Sequence, residues 1–170
     1  MHIALIAKPG HANTGVGRYT IELERNLRAQ GHDVIVVHPV IPLPKWMVRI
    51  TRRLGWDLSA FFNTYPVWVR YPQADLYHFT SQNLATLMLV RRPPGKSVIT
   101  VHDIIPWVVR NDPEQRVYHH FLDEIFDQLA LKGIQRAEAI VTDSTFTSQT
   151  LFDEIEISKQ KMQTVYLGIN

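Results

Sequence analysis

The sequence predicts a doubly wound α/β sandwich with a six-stranded or seven-stranded, mainly parallel sheet flanked by helices. Three observations carry that expectation. Short apolar runs rich in β-branched residues recur along the 170 residues, segments with helical spacing separate them, and polar clusters follow the runs directly. Hydrophobic residues make up 45% and charged residues 20% of the chain, which suits one globular domain spanning residues 1–170.

The runs lie at residues 2–7, 33–38, 75–79, 97–102, 139–142 and 163–167. They are nearly continuous in hydrophobicity, the pattern of strands buried on both faces of a parallel sheet. Between the first two, Val16, Tyr19, Leu23 and Leu27 form one helical stripe, and Gly31 stands where a left-handed C-terminal cap is expected. A second helix is expected over residues 81–90, closed by Arg91, Arg92 and Pro93. A longer one is expected to start near Pro113 and Glu114 and to carry Val117, Phe121, Ile125, Leu129 and Leu131 inward. The last is expected after Ser144, with Phe146, Leu151, Phe152 and Ile155 as its apolar side.

Several function classes are excluded or disfavoured at this level. Cysteine is absent, so disulfide and thiolate chemistry are excluded, and a reducing compartment, the cytoplasm, is the expected setting. Residues 1–7 are too short for a secretory signal, and no apolar run approaches the roughly 20 residues of a spanning helix. A net charge of +2 is too small for a nucleic-acid partner to be expected. No His or Cys spacing suits a metal, and His119 and His120, being adjacent, would point in different directions on a helix. A hydrolase nucleophile elbow and a lysine-bearing phosphate loop are also absent.

In doubly wound sheets ligands bind beyond the carboxyl ends of the strands, so the residues just after each run are the candidates. After the first, Gly15, Val16, Gly17 and Arg18 open a helix, and glycines there let backbone N–H groups approach a phosphate or diphosphate. After the third come Thr80 and Ser81. The fourth ends in His102 and Asp103, an imidazole and a carboxylate able to hydrogen-bond or to stabilise charge, and the fifth is followed by Ser144 and Thr145. Each cluster has a plain structural alternative: a connecting turn, a buried histidine with Asp103 capping the next turn, or N-caps at Ser81 and Ser144. Their coincidence at one sheet edge favours a polar cleft.

The ordered set resembles glycosyltransferase family four, whose members have the GT-B fold. The turn from Thr14 to Tyr19 is similar to the family's glycine-rich loop, and Thr100 to Asp103 with Pro106 to its V-H-D-x-x-P strand end. Residues 141–147 resemble its V-S-x-F-T/S element, and residues 157–170 the I-x-V-x-x-N-G-V-D passage that closes the first, Rossmann-like domain. Thr14 and Leu167 depart from the family pattern, which often has glycine and asparagine there. The resemblance implies a nucleotide-diphosphate sugar as donor, transfer of a hexose with retention to a glycan or lipid-linked acceptor, and neither metal nor cofactor. It implies that Gly15 to Gly17 meet the donor diphosphate and that His102 and Asp103 lie at the reacting sugar. The T-G-V-G-R-Y and H-D-x-x-P variants are most similar to mannosyltransferase-type members, hence GDP-mannose. The family's donor-binding domain with its paired glutamates is expected to be missing from this chain, leaving an acceptor-side domain with little activity alone.

Two other readings stay open. One is a noncatalytic carbohydrate-binding or nucleotide-binding module with the same half-fold. A dinucleotide-dependent oxidoreductase needs an acid after the second strand, where His38 stands. Residues 45–56 add a further expectation: at about 100° per residue Trp46, Met47, Ile50 and Leu54 share one face and Arg49, Arg52 and Arg53 another, as in a helix on an anionic membrane surface. The alternative is an amphipathic helix packed on the domain. Finally, His102 is expected to tolerate alanine at small stability cost, as a cleft residue would.

Overall fold

A computed structural model describes residues 1–9, 13–118 and 120–168. The middle of the glycine turn (Gly10, His11, Ala12), His119 of the adjacent pair, and Ile169 and Asn170 of the closing motif lie outside the described residues.

Six strands form one parallel sheet: β1 (His2–Ile6), β2 (Asp33–Val37), β3 (Leu76–Phe79), β4 (Lys96–Val101), β5 (Ala139–Thr142) and β6 (Met162–Thr164). Their order is β2-β1-β3-β4-β5-β6, every neighbouring pair being parallel. The winding direction reverses between β1 and β3, which makes that junction the switch point of the sheet. On one face Ile3, Leu5 and Val34 pack beneath Leu23 and Leu27 of α1 (Gly15–Ala29). The opposite face carries the larger core, where Ala4, Ile6, Tyr77, Phe79, Ile99 and Ile140 meet α4 (Thr86–Val90) and α6 (Phe121–Ile134). Each buried Leu or Ile there contributes about 1.5–3 kcal/mol. α7 (Thr145–Ile155) adds the buried Leu151 to the same core.

Local chemistry explains the boundaries. The Thr14 hydroxyl caps α1 by accepting from the Gly17 N–H at 3.1 Å, and Gly31 ends it at φ 82°, the left-handed conformation that glycine adopts without strain. A 3₁₀ turn, Gln82–Ala85, precedes α4. Gly133 lets α6 lie directly on that turn, since a Cβ at this position would sit 2.0 Å from the Ala85 carbonyl oxygen.

Several element-level expectations change. The long helix starts at Phe121 and not at Pro113, because the Asp112 carboxylate accepts from the Glu114 N–H at 2.9 Å and holds a turn; a short helix, α5 (Ile105–Val108), precedes it. Leu131 is buried as expected, but Val117, Phe121 and Ile125 are exposed, and α6 turns Asp127, Ala130 and Ile134 inward beside Leu131. A series spaced by four drifts around a helix of 3.6 residues per turn, and the buried carboxylate of Asp127 masked the true inner face. Phe146 and Phe152 are likewise exposed on α7. Strand β2 is buried on one face only, Ile35 being exposed, since it is a sheet edge covered by α1 alone. Strand β6 ends at Thr164, and Val165, Tyr166 and Leu167 are exposed beyond it.

Between β2 and β3 lie α2 (Lys45–Arg53) and α3 (Leu58–Thr64). No residue of α2 is buried. Of its apolar stripe Trp46 is 62% and Ile50 49% exposed, as is Leu54 just beyond the helix at 79%, while Met47 is half-buried.

Candidate functional site

Chain direction in a parallel sheet brings the polar clusters after β1, β3, β4 and β5 to one edge. There, the His102 ring lies between three elements. Its Nε2 donates to the Thr80 carbonyl at 3.1 Å, its Nδ1 is 3.2 Å from Asp143 Oδ2, and Tyr19 of α1 stands edge-on with ring centroids 5.0 Å apart. A carbonyl only accepts, so Nε2 carries a proton in this arrangement. The backbone is tied as well: His102 N–H donates to Gln82 Oε1 at 3.4 Å, and its carbonyl accepts from the Thr147 hydroxyl at 3.0 Å. With its side chain only 14% exposed and both ring nitrogens engaged, His102 joins the ends of β3, β4 and β5. The expectation of a low stability cost on replacement therefore gives way to a substantial one.

Beneath it a second polar chain runs through the sheet. Tyr19 and His78 both bond the Thr100 hydroxyl at 2.8 Å. Burial, reinforced by the neighbouring His102, depresses His78 from 6.5 to about 4, so it is neutral near pH 7.

The remaining sequence candidates divide. His102, Asp103, Ser144, Phe146 and Thr147 line one cleft of about 180 Å³. Asp103 also accepts from the Ile105 N–H at 3.2 Å, and Ser144 caps α7 through the Thr147 N–H at 3.1 Å. Thr145 is exposed at the first position of α7. Gly17, Val16 and Thr14 line a second cleft of about 510 Å³ with Lys8 and His38, while Gly15 and Arg18 open on the other side of α1 beside Leu167 and Gly168. Thr80 and Ser81 are 0% and 1% exposed. The Thr80 hydroxyl accepts from that of Thr20 at 3.2 Å, so its side chain serves the interior. Ser81 precedes the 3₁₀ turn without capping it, and its buried hydroxyl has no partner.

The sequence reading missed a cluster at the switch point itself. Lys8, after β1, donates from Nζ to Asn83 Oδ1 at 2.8 Å, Asn83 being in the turn after β3. Tyr65, at the end of α3, stands beside Asn83 and Asp127. Tyr118 donates its hydroxyl proton to the same Asp127, which is 6% exposed. Burial lowers Lys8 to about 8 against the opposing pull of Asp127 and Asp103. Burial likewise raises Asp127 against its Tyr118 hydrogen bond and Lys8. Desolvation thus outweighs attraction at both charges, which is the environment expected of functional groups. A lysine directly after the first strand was the one available signal; Asp127, inside a helix, gave none.

The family profile described as "Glycosyltransferase Family 4" matches residues 13–170. The chain belongs to that family. No curated protein matches in sequence. Among solved structures, a sucrose-phosphate synthase from Thermosynechococcus elongatus aligns with a TM-score of 0.62 and 15% identity, over 99% of this chain and 48% of the other. The structure titled as the glycotransferase of kitacinnamycin aligns with a TM-score of 0.44 and 12% identity, over 99% of this chain and 52% of its own. The chain therefore spans about half the length of these structures. The fold is the Rossmann-like half of a GT-B glycosyltransferase. Among the described residues no group of three or more His, Cys, Asp or Glu could hold a metal, and no helix is long and apolar enough to cross a membrane.

Proposed function

We propose that this chain is the acceptor-side domain of a retaining hexosyltransferase that uses a nucleotide-diphosphate sugar and acts together with a donor-binding domain. The observation that carries the reading is the convergence of the α1 N-terminus, His102, Asp103 and Ser144 at the carboxyl edge of one parallel sheet in a family-four chain. The turn at Gly15 to Gly17 suits a diphosphate, because a helix N-terminus offers backbone N–H donors and a favourable dipole, the Gly17 N–H being held by the Thr14 hydroxyl until a ligand replaces it. His102 suits a positioning role, with the Nε2 proton now bonded to Thr80 available to a sugar hydroxyl when ligand displaces that bond. Asp103, whose oxygen faces the first turn of α5, suits contact with an acceptor hydroxyl. Resemblance of the glycine loop and the H-D-x-x-P passage to mannosyltransferase-type members supports GDP-mannose as donor. The test is transfer from GDP-mannose and UDP-glucose by a polypeptide containing this domain, with the product anomer read by NMR. Retention with GDP-mannose is expected, and inversion or simple hydrolysis would refute it. The 170-residue chain alone is expected to release no nucleoside diphosphate above background.

We further propose peripheral contact with an anionic membrane at its cytoplasmic face through residues 45–56, supported by the outward apolar stripe of α2 beside Arg49 and Arg53. Co-sedimentation with phosphatidylglycerol vesicles should be lost in a variant carrying Arg49→Glu, Arg52→Glu and Arg53→Glu; equal binding would remove the idea.

A further inference from the structure

A cleft of about 390 Å³ lies where the segment after α2, α3, the start of α5 and the start of α6 meet, and none of the candidates at the sheet edge, from Gly15 to Thr145, lines it. That volume is within the ~300–1,000 Å³ of small-ligand pockets. Its walls are aromatic: Trp56 packs edge-on to Phe61 at 5.4 Å, and Tyr65 and Tyr118 complete the lining. Phe61 in turn rests edge-on against Phe126 of α6 at 4.8 Å, so the wall is braced from behind. The polar side chains lining it are Asp57, Asp123, His120 and the hydroxyls of Thr64, Tyr65 and Tyr118, with Asp127 bonded to Tyr118.

We propose that this cleft binds an uncharged pyranose ring of the acceptor, stacked on Trp56 and hydrogen-bonded to Tyr118 and Asp123. The proposal rests on the transferase reading above and adds the chemical class of the acceptor. Three features select that ligand. An aromatic face suits the apolar C–H face of a sugar, and a cleft with a few placed polar groups fixes orientation. Tyr118 donates its hydroxyl hydrogen bond to Asp127, which leaves the phenolic oxygen's lone pairs to accept from a ligand hydroxyl, and the Asp123 carboxylate, which accepts from the His120 N–H, has a second oxygen to offer. Sugar hydroxyls are the donors such a site needs. Of the two carboxylates that line the cleft, Asp57 is paired with Arg52 at 2.9 Å, and Asp123 disfavours a phosphorylated ring. Tyr118 of the cleft wall bonds Asp127, whose charge acts on Lys8, and Lys8 bonds Asn83, so the cleft lies beside the switch point. A ring seated here would be an acceptor unit close to the strand ends where transfer is proposed.

The test uses saturation-transfer NMR on the whole chain with methyl α-mannoside, methyl β-glucoside and mannose 6-phosphate as probes, and amide shifts with GDP-mannose in parallel. A neutral glycoside should receive saturation, mannose 6-phosphate should bind more weakly, and Trp56→Leu should weaken neutral binding about tenfold. Asp123→Asn serves as a second variant, and melting curves of both confirm folding. Neutral binding that neither folded variant changes, or tighter binding of mannose 6-phosphate, overturns the proposal. Absence of glycoside binding while GDP-mannose shifts Gly15 to Gly17 overturns it and leaves the transferase reading standing. Silence from both ligands overturns both.

Discussion

Around His102 both ring nitrogens find partners on neighbouring strand ends, whereas Lys8 and Asp127, at the switch point of the same edge, attract one another while Lys8 bonds Asn83 and Asp127 bonds Tyr118. The first assembly is a brace. His102 fastens Thr80, Asp143 and Thr147, and Thr100 links the neutral His78 to Tyr19 beneath it. The second is a load on the fold: burial shifts Lys8 and Asp127 towards neutrality although each attracts the other. A group kept at such a cost, when an apolar replacement would fit a stable core better, points to use rather than support. The contrast separates the residues that shape the cleft from those poised to meet a ligand.

The largest expected effect follows from breaking the brace. His102→Ala leaves the Thr80 carbonyl and the Asp143 carboxylate without partners and should cost about 3–4 kcal/mol, or roughly 6–16 °C in Tm. In the two-domain enzyme it should also slow transfer about a hundredfold, measured per folded molecule. A loss of rate with an unchanged Tm would move His102 out of the brace.

Acid should loosen the same region. The folded state holds His78 near 4 while an unfolded histidine titrates at 6.5, so between those values the unfolded chain binds more protons. Stability due to this group is therefore present above pH 6.5 and is lost as pH falls towards 4, by about 3 kcal/mol in all. Denaturant midpoints at pH 7 and pH 4.5 should differ more in the wild-type chain than in His78→Gln. Equal differences would mean that His78 is not the group responsible.

These effects also show how far the sequence could be read. Strand positions and the shared edge were legible because parallel strands buried on both faces are continuous apolar runs and the polar residues follow each run directly, as at Val101 and His102. The inner face of α6 was not, because its centre is Asp127, and periodicity treats a carboxylate as outward-facing. Ring partners were equally hidden: nothing local to His102 names the Thr80 carbonyl, which is 22 residues away. The Lys8–Asp127 cluster draws on β1, the turn after β3, α3, the segment before α6 and α6 itself, so only the fold assembles it. The outward turn of the α2 stripe likewise depends on what the rest of the chain leaves uncovered.

The smallest effect has the opposite sign and comes from the loaded assembly. Lys8→Met removes a buried charge at the expense of one hydrogen bond to Asn83 and should stabilise the chain by about 1–2 kcal/mol at pH 7. Since the folded lysine sits near 8 and the unfolded one near 10.5, that gain should shrink as pH rises through this window. A variant less stable than wild type at pH 7 would show that Lys8 braces the fold as His102 does.

The central claim is that the carboxyl edge of the sheet is where a nucleotide-diphosphate sugar is met. It is tested most directly by the amide spectrum of this chain titrated with GDP-mannose. Shifts should concentrate at Gly15, Gly17 and Arg18 and extend to His102, Asp103 and Thr145, and they should fade in Gly17→Val, where a side chain intrudes on the α1 N-terminus. Shifts confined to Lys45–Arg53, or no response at any residue of the edge, would contradict it.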